Sequence, residues 1–313
     1  MKKIIIWTVG LMGIPFFVVI FLNNDNNINI TKEEIKLDYI SNNLIRVMRV
    51  NKDRVDVINL EDYVVGVVAG EMPVSFDMEA LKAQAVASRS YALKKIDDNR
   101  DGSYDVVDTT SNQVYLDLDD LKNKWQDKYE EYLSKVKNAV NATSLEYLSY
   151  KGEIANTMFF STSNGYTEDS RVVFSEDVPY LKSVDSKWDE DVASNFNYKI
   201  EYSLDNFYNN LGLKYSNKLK VLILKRSASN RIIKIKINGV EFSGRDIYNK
   251  LKIRSTDFSI EQNKNKVIIK TKGFGHGVGM SQYGALGMAR KGYNYKEILN
   301  HYYQGTNLEK LEK

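Results

Sequence analysis

An uncharged run at the amino end constrains this chain more than any other feature. Ile4 to Leu22 holds nineteen residues without Asp, Glu, Lys or Arg. As a helix it would cover roughly 28 Å, close to the hydrocarbon thickness of a bilayer. Lys2 and Lys3 precede it and are expected to hold residues 1–3 in the cytoplasm, leaving the rest of the chain outside. A cleaved signal peptide is the competing reading. Against it, the run is long, and Asn23-Asn24-Asp25-Asn26-Asn27 follows where a small-x-small cleavage site would stand. The expected organisation is a transmembrane anchor over 4–22, a polar juxtamembrane spacer over 23–43 and an extracytoplasmic domain over 44–313.

Charge and residue counts exclude several function classes. The net charge is +3, and without Lys2 and Lys3 the chain has 42 basic and 41 acidic residues. That balance gives no electrostatic reason to invoke nucleic acid. Absence of cysteine rules out thiol catalysis, disulfides and thiolate-ligated metal, and with only His276 and His301 no histidine-rich zinc site is expected. No cofactor is implied. The 21 tyrosines suit a surface that stacks on sugars, and equally suit packing in sheets.

Beyond the spacer the pattern is α+β. Leu44 to Ile58 alternates apolar and polar residues as a strand pair. Leu60, Val64, Val67 and Val68 recur at helical spacing, with Asn59 as N-cap and Gly70 as the stop. A second helix is expected after Pro73, capped by Ser75 or Asp77 and running to Ile96, with Lys82 and Arg89 on nearly the same side. From Asp120 the stripe Leu121, Trp125, Tyr129, Leu133, Val136 and Val140 predicts one long helix with a core-facing side. Strands are expected at LEYLSY, EIANTMFFST and KVIIKTK, and Asn238-Gly239 predicts a hairpin between RIIKIKI and VEF. Asn294 and Glu297 have capping-box spacing ahead of a short helix. Strands and helices do not alternate regularly, which argues against a doubly wound sheet.

Three segments carry the candidate chemistry. They are EDYVVGVVAGEMP running into LKAQAVASRSYA, then FFSTSNGYTEDS with VPYLKSVDS, and finally GFGHGVGMSQYGALGMARKGYNYKEILNHYYQGT. With these blocks in this order, the stretch from Leu60 to Leu308 resembles the stage II sporulation protein D and amidase-enhancer family. The resemblance implies an extracytoplasmic lytic transglycosylase that cleaves peptide-free peptidoglycan glycan strands during engulfment of the forespore. It also implies partnership with stage II sporulation proteins P and M, in the mother-cell membrane facing the septum. Glu71, in Gly-Glu-Met-Pro, takes the position of the family's catalytic residue. Some relatives hold zinc through a cysteine before Gln-Val-Tyr, where this chain has Asn112, so no metal is expected here.

The chemistry makes sense of one carboxyl. Glycosidic cleavage needs a proton on the leaving oxygen as an oxocarbenium-like transition state forms. In a lytic transglycosylase the substrate's own C6 hydroxyl then attacks C1, so one Glu gives a proton and later takes one back. It must start neutral, with its pKa raised. The expected causes at Glu71 are the negative end of the 60–70 helix and the apolar neighbours Met72 and Pro73. Lys82, Gln84 and Arg89 are candidate substrate contacts, Arg89 for a lactyl carboxylate; a solvated helix face is the alternative. Ser161, Ser163 and Asn164 offer sugar-binding donors or ordinary turn chemistry. The glycine loop 273–279 lacks the Lys-Ser/Thr of a nucleotide loop and is expected to let backbone approach the glycan. It brings His276, Ser281 and Gln282 to the substrate, His276 as a partner of substrate or Glu71, or else as a structural bridge. A glycan-binding enhancer of a partner amidase and a hydrolase using Asp62 or Asp108 are the competing functions.

Overall fold

The structure is a computed structural model and describes residues 43–312. The expected anchor at 4–22 lies outside the described residues, as does the spacer as far as residue 42. Among the described residues no helix is long and apolar enough to cross a membrane.

The fold is α+β, as its patterning predicts. Strands β1 (Leu44–Arg49) and β2 (Arg54–Asn59) form the expected antiparallel pair, with Ile45 and Val47 facing inward. Asn59 caps helix α1 (Leu60–Glu71), its side chain accepting from the Glu61 amide at 2.9 Å. The helix ends on Glu71, one residue past the glycine expected to stop it. Helix α2 (Met78–Asp98) follows, with Asp77 at its N-cap position. Its alanines and Leu81, Val86, Leu93 and Ile96 are buried, so it is the central helix of the body and packs on α1. Strand β3 (Val106–Val107) then pairs in parallel with β1.

The long helix expected from Asp120 is instead two. Helix α3 (Leu118–Trp125) and helix α4 (Tyr129–Ala142) are separated at Gln126, whose φ of 49° lies outside the helical region. Different partners hold the two halves. An Asp117–Asp120 capping box starts α3, and Arg49 grips both carboxylates at 2.9 Å, whereas α4 packs on α1 and α2. The apolar stripe survives the break, with Leu121, Trp125, Leu133, Val136 and Val140 all buried.

Strands β4 (Glu146–Tyr150), β5 (Glu153–Ile154) and β6 (Phe159–Phe160) and the short helices α5 (Ser170–Phe174) and α6 (Trp188–Val192) complete the first pass through the body. The chain then builds a second hydrophobic core. Strand β7 (Asn197–Ser203), helix α7 (Leu204–Leu211), strands β8 (Val221–Arg226), β9 (Ile232–Ile237) and β10 (Val240–Ser243), helix α8 (Gly244–Lys250), and strands β11 (Phe258–Asn263) and β12 (Lys266–Lys272) form it. Its two antiparallel sheets, ordered β10-β9-β8 and β11-β12-β7, bury Phe207, Tyr208, Ile235, Ile237, Ile247 and Ile269 with α7 and α8. The Asn238-Gly239 hairpin is present, both residues at positive φ.

The chain finally returns to the body through β13 (Met280–Ser281), which pairs in parallel with β6. Helices α9 (Gln282–Arg290) and α10 (Tyr295–Tyr302) and strand β14 (Asn307–Lys310), beside β4, follow. The capping box of Asn294 and Glu297 starts α10 as expected. Residues 197–272 are therefore an insertion between two strands of the body that touch each other.

Candidate active site

Two glycines decide where the Glu71 carboxyl sits. A Cβ at Gly66 would lie 2.5 Å from the Leu116 carbonyl oxygen, and one at Gly70 would lie 2.4 Å from that of Val114. Only bare helix backbone lets segment 113–116 lie this close to α1. The contact brings the Val114 amide within 2.6 Å of Glu71 Oε1. Tyr63 on α1 fixes the same segment by donating to Gln113 Oε1 at 3.0 Å and stacking on Tyr115, whose ring also carries the Arg49 guanidinium.

Glu71 lines a cleft of about 1100 Å³, at the upper end of ordinary small-ligand pockets. Burial raises its pKa above the usual carboxylate value, opposed by the Val114 amide, the nearby Gln282 amide and the Lys124 ammonium. The dominant cause is desolvation rather than the helix end. Lys124 donates to the Ala69 carbonyl at 2.9 Å and so answers part of the exposed terminus of α1.

Of the expected substrate contacts, Ser161, His276 and Gln282 share this cleft with Glu71. Gln282 is almost fully buried, and its Nε2 has no hydrogen-bond partner within the protein. His276 resolves towards the structural alternative. Its Nε2 donates to the Phe159 carbonyl at 3.0 Å and its Nδ1 accepts from the Val278 amide at 3.1 Å. Both ring nitrogens are thereby spent and neither reaches Glu71. Burial pushes its pKa down to about 4, so the ring is a neutral pin between the glycine loop and β6. His301 is likewise structural, bonded to the Asp185 carbonyl and packed edge-on against Trp188 and Tyr302.

The other expected contacts lie elsewhere. Arg89 is fully buried, paired with both oxygens of Glu61 at 2.6 and 2.7 Å and with the Glu146 carbonyl at 2.9 Å. Gln84 is buried and bonded to Ser88, and Lys82 pairs with Glu79 beside the Tyr295 ring. Helical spacing put Lys82 and Arg89 on one side correctly, but α2 runs through the core and offers little solvated face. Ser163 and Ser281 meet at buried Asp189, whose Oδ1 accepts from the Ser163 amide at 2.8 Å and the Ser281 hydroxyl at 2.5 Å; Ser186 takes Oδ2 at 2.7 Å. This hub ties β6 to the start of α9. Nothing in the sequence around Trp188-Asp189-Glu190 marked it. Asn164 joins the two cores, donating to the Ser229 carbonyl at 2.7 Å and to Asp257 at 2.8 Å.

The glycine loop also works differently from expectation. Gly273, Gly277 and Gly279 all have positive φ, and Cβ atoms there would collide with the Thr162 carbonyl, the Arg231 guanidinium and the Met158 carbonyl. The loop is bare so that it can pack on protein. Sequence reasoning missed the opposite wall, where Ser243, Arg245 and Tyr248 of the second core and buried Glu168 also line the cleft. Glu168 has both oxygens engaged, by the Ser229 hydroxyl and the Asp169 amide. Asp108, a candidate second carboxylate from sequence, is bound to Arg49 and the Val50 amide.

The donors present do not fit a zinc site. Asn112 spends its side chain on the Val107 amide at 2.8 Å and the Tyr91 hydroxyl at 2.9 Å, bracing the loop through hydrogen bonds. Among the described residues no group of three His, Asp or Glu side chains is placed to hold a metal.

Comparison with known proteins agrees with the motif blocks. Residues 49–150 match a family described as stage II sporulation protein, and residues 119–279 match a domain of unknown function. Stage II sporulation protein D of Bacillus amyloliquefaciens is 41% identical over 274 residues, covering 86% of this chain and 79% of that protein. The Bacillus subtilis protein of the same name is 39% identical over the same coverage. The Bacillus subtilis amidase enhancer is 30% identical over 297 residues, covering 78% of this chain and 40% of that protein. Identity of this degree over 86% of the chain places it in the stage II sporulation protein D family.

Proposed function

We propose that this sporulation-family protein is a lytic transglycosylase of peptidoglycan glycan strands, with Glu71 as its single acid and base. The observation that carries the reading is a buried carboxyl of raised pKa on the wall of a cleft of about 1100 Å³. Protonated Glu71 gives its proton to the glycosidic oxygen as the bond from C1 breaks. The resulting carboxylate then takes the proton of the C6 hydroxyl as that oxygen closes on C1, which leaves a 1,6-anhydromuramic end and restores the acid. The Val114 amide holds the carboxyl in place between the two transfers. No second carboxylate with a free oxygen is needed, and Glu168 and Asp108 are both engaged by protein donors.

The same proposal places the domain outside the membrane behind the 4–22 anchor, acting in engulfment beside stage II sporulation proteins P and M. A second reading draws on the amidase-enhancer relative: the cleft binds glycan without cutting it, to the benefit of a partner amidase. Mass spectrometry of peptide-free glycan incubated with the purified protein separates these readings. Anhydro ends are expected. Reducing ends would mean hydrolysis, and an intact glycan that still binds would mean enhancement.

A further inference from the structure

The balanced charge of the whole chain hides a strong segregation. From Asn197 to Lys272 there are seventeen Lys and Arg against six Asp and Glu, so the inserted segment is +11 and the remaining residues together are −8. Within that segment one edge combines charge with exposed apolar surface. Strand β8 is the outer strand of its sheet, in the run Lys218-Leu-Lys-Val-Leu-Ile-Leu-Lys-Arg226. Leu222 is 58% exposed, and Ile223 and Leu224 are each 39% exposed. Leu222 stands opposite Lys236 on the outward face, and Lys225 stands opposite Lys234. Among the described residues Lys218, Lys220 and Lys225 have no acidic partner within ion-pair distance.

An apolar edge strand invites either another strand or a lipid surface. Strand pairing is opposed here by the lysines along the edge and by the irregular register between Ile223 and Arg226, both of which blunt edge-to-edge contact. A dissolved polyanion would answer the charge but leave Leu222 and Leu224 in water. A bilayer carrying anionic headgroups answers both, because basic side chains reach phosphates while short apolar side chains enter the interfacial zone. We infer that the β8 edge docks the inserted segment onto an anionic membrane surface. The acidic remainder is repelled from that surface, so docking also orients the cleft between the two cores relative to the membrane. The inference is independent of what Glu71 does.

The chain has no cysteine, so L222C or L224C gives a single attachment point for an environment-sensitive fluorophore, and D127C gives a control on the body. Full-length protein would be reconstituted into vesicles of equimolar phosphatidylglycerol and phosphatidylcholine, or of phosphatidylcholine alone. The expected result is a blue shift and quenching by doxyl-labelled lipid at 222 and 224 but not 127. It should occur only in the anionic vesicles and be lost at ~1 M salt, where the screening length is ~3 Å. Replacing Lys218, Lys220 and Lys225 by Gln should shift the docked–undocked equilibrium by on the order of 10²-fold. Labels at 222 and 224 that remain in water in anionic vesicles would overturn the inference, as would equal quenching at 127. Equal quenching in neutral vesicles would remove its electrostatic basis. Protection of residue 222 by soluble polyphosphate or a strand-forming peptide, without lipid, would assign the edge to those partners instead.

Discussion

The body around α2 and the inserted segment from Asn197 to Lys272 treat charge in opposite ways. In the body, charged groups are taken inside and matched: Arg89 is fully buried on Glu61, Arg49 gathers Asp108, Asp117 and Asp120, and Asp189 is buried under two hydroxyls and an amide. In the insertion nearly all ionisable side chains stay on the surface, and the two buried ones, Arg231 and Asp257, are at the seam with the body. A network of buried, satisfied charges gives a rigid wall on which one carboxyl can be held within a fraction of an ångström. A small apolar core coated with lysine gives a wall that contributes shape and field. Glu71 belongs to the first kind of region and faces the second across the cleft.

If that division is right, damage to each region should have its own signature. Arg89→Ala is expected to cost most, about 3–5 kcal/mol, because Glu61 and the Glu146 carbonyl lose a buried partner. Urea denaturation of the variant checks this, and a loss under ~1 kcal/mol would mean the pair is not part of what makes the body rigid. Ile235→Ala, in the inserted core, should cost about 2–4 kcal/mol through its cavity. Hydrogen exchange should show lost protection confined to 197–272. Equal loss across α1 and α2 would show that the two cores unfold as one and would break the contrast.

The smallest expected effect is the most specific. Burial raises the Glu71 pKa in the folded state, so the native protein holds this proton to higher pH than the unfolded chain does. Stability therefore falls as pH rises from the unfolded carboxyl pKa through the raised folded one, and the penalty is complete above it. Glu71→Gln has no charge to bury. It should melt above wild type at neutral pH, with the gap closing below about pH 4, where both states of wild type are protonated. A gap that is independent of pH would place its cause in packing, not in desolvation.

Much of the fold could be read from the sequence because its signals are local. Asn59 does cap α1, Asn294 and Glu297 do form their box, and Asn238-Gly239 does turn the hairpin. The residue resemblance located Glu71, but the placing of its carboxyl depends on Gly66 and Gly70, which admit segment 113–116 from some forty residues away, and its raised pKa comes from burial. Arg89 was misplaced because helical spacing says which residues share a side and not whether that side meets water. His276 has its ring nitrogens spent on a carbonyl and an amide, partners that no side-chain pattern reveals. The segregation of charge between the two regions escaped because a whole-chain sum of +3 averages +11 against −8. It becomes visible once the boundaries of the insertion are known.

The central claim is that Glu71 cycles one proton during glycan cleavage, and it is tested most directly by the rate at which anhydro ends form. Wild type and Glu71→Gln would be compared on peptide-free glycan at equal, saturating concentration and across pH. Gln keeps the shape and hydrogen-bonding reach of the side chain but cannot give and retake a proton. The account predicts a loss on the order of 10²–10⁴-fold with little change in glycan binding, and a wild-type rate that falls as pH rises through the raised Glu71 pKa. Near-normal turnover by Glu71→Gln, or a wild-type rate indifferent to pH in that range, would contradict it.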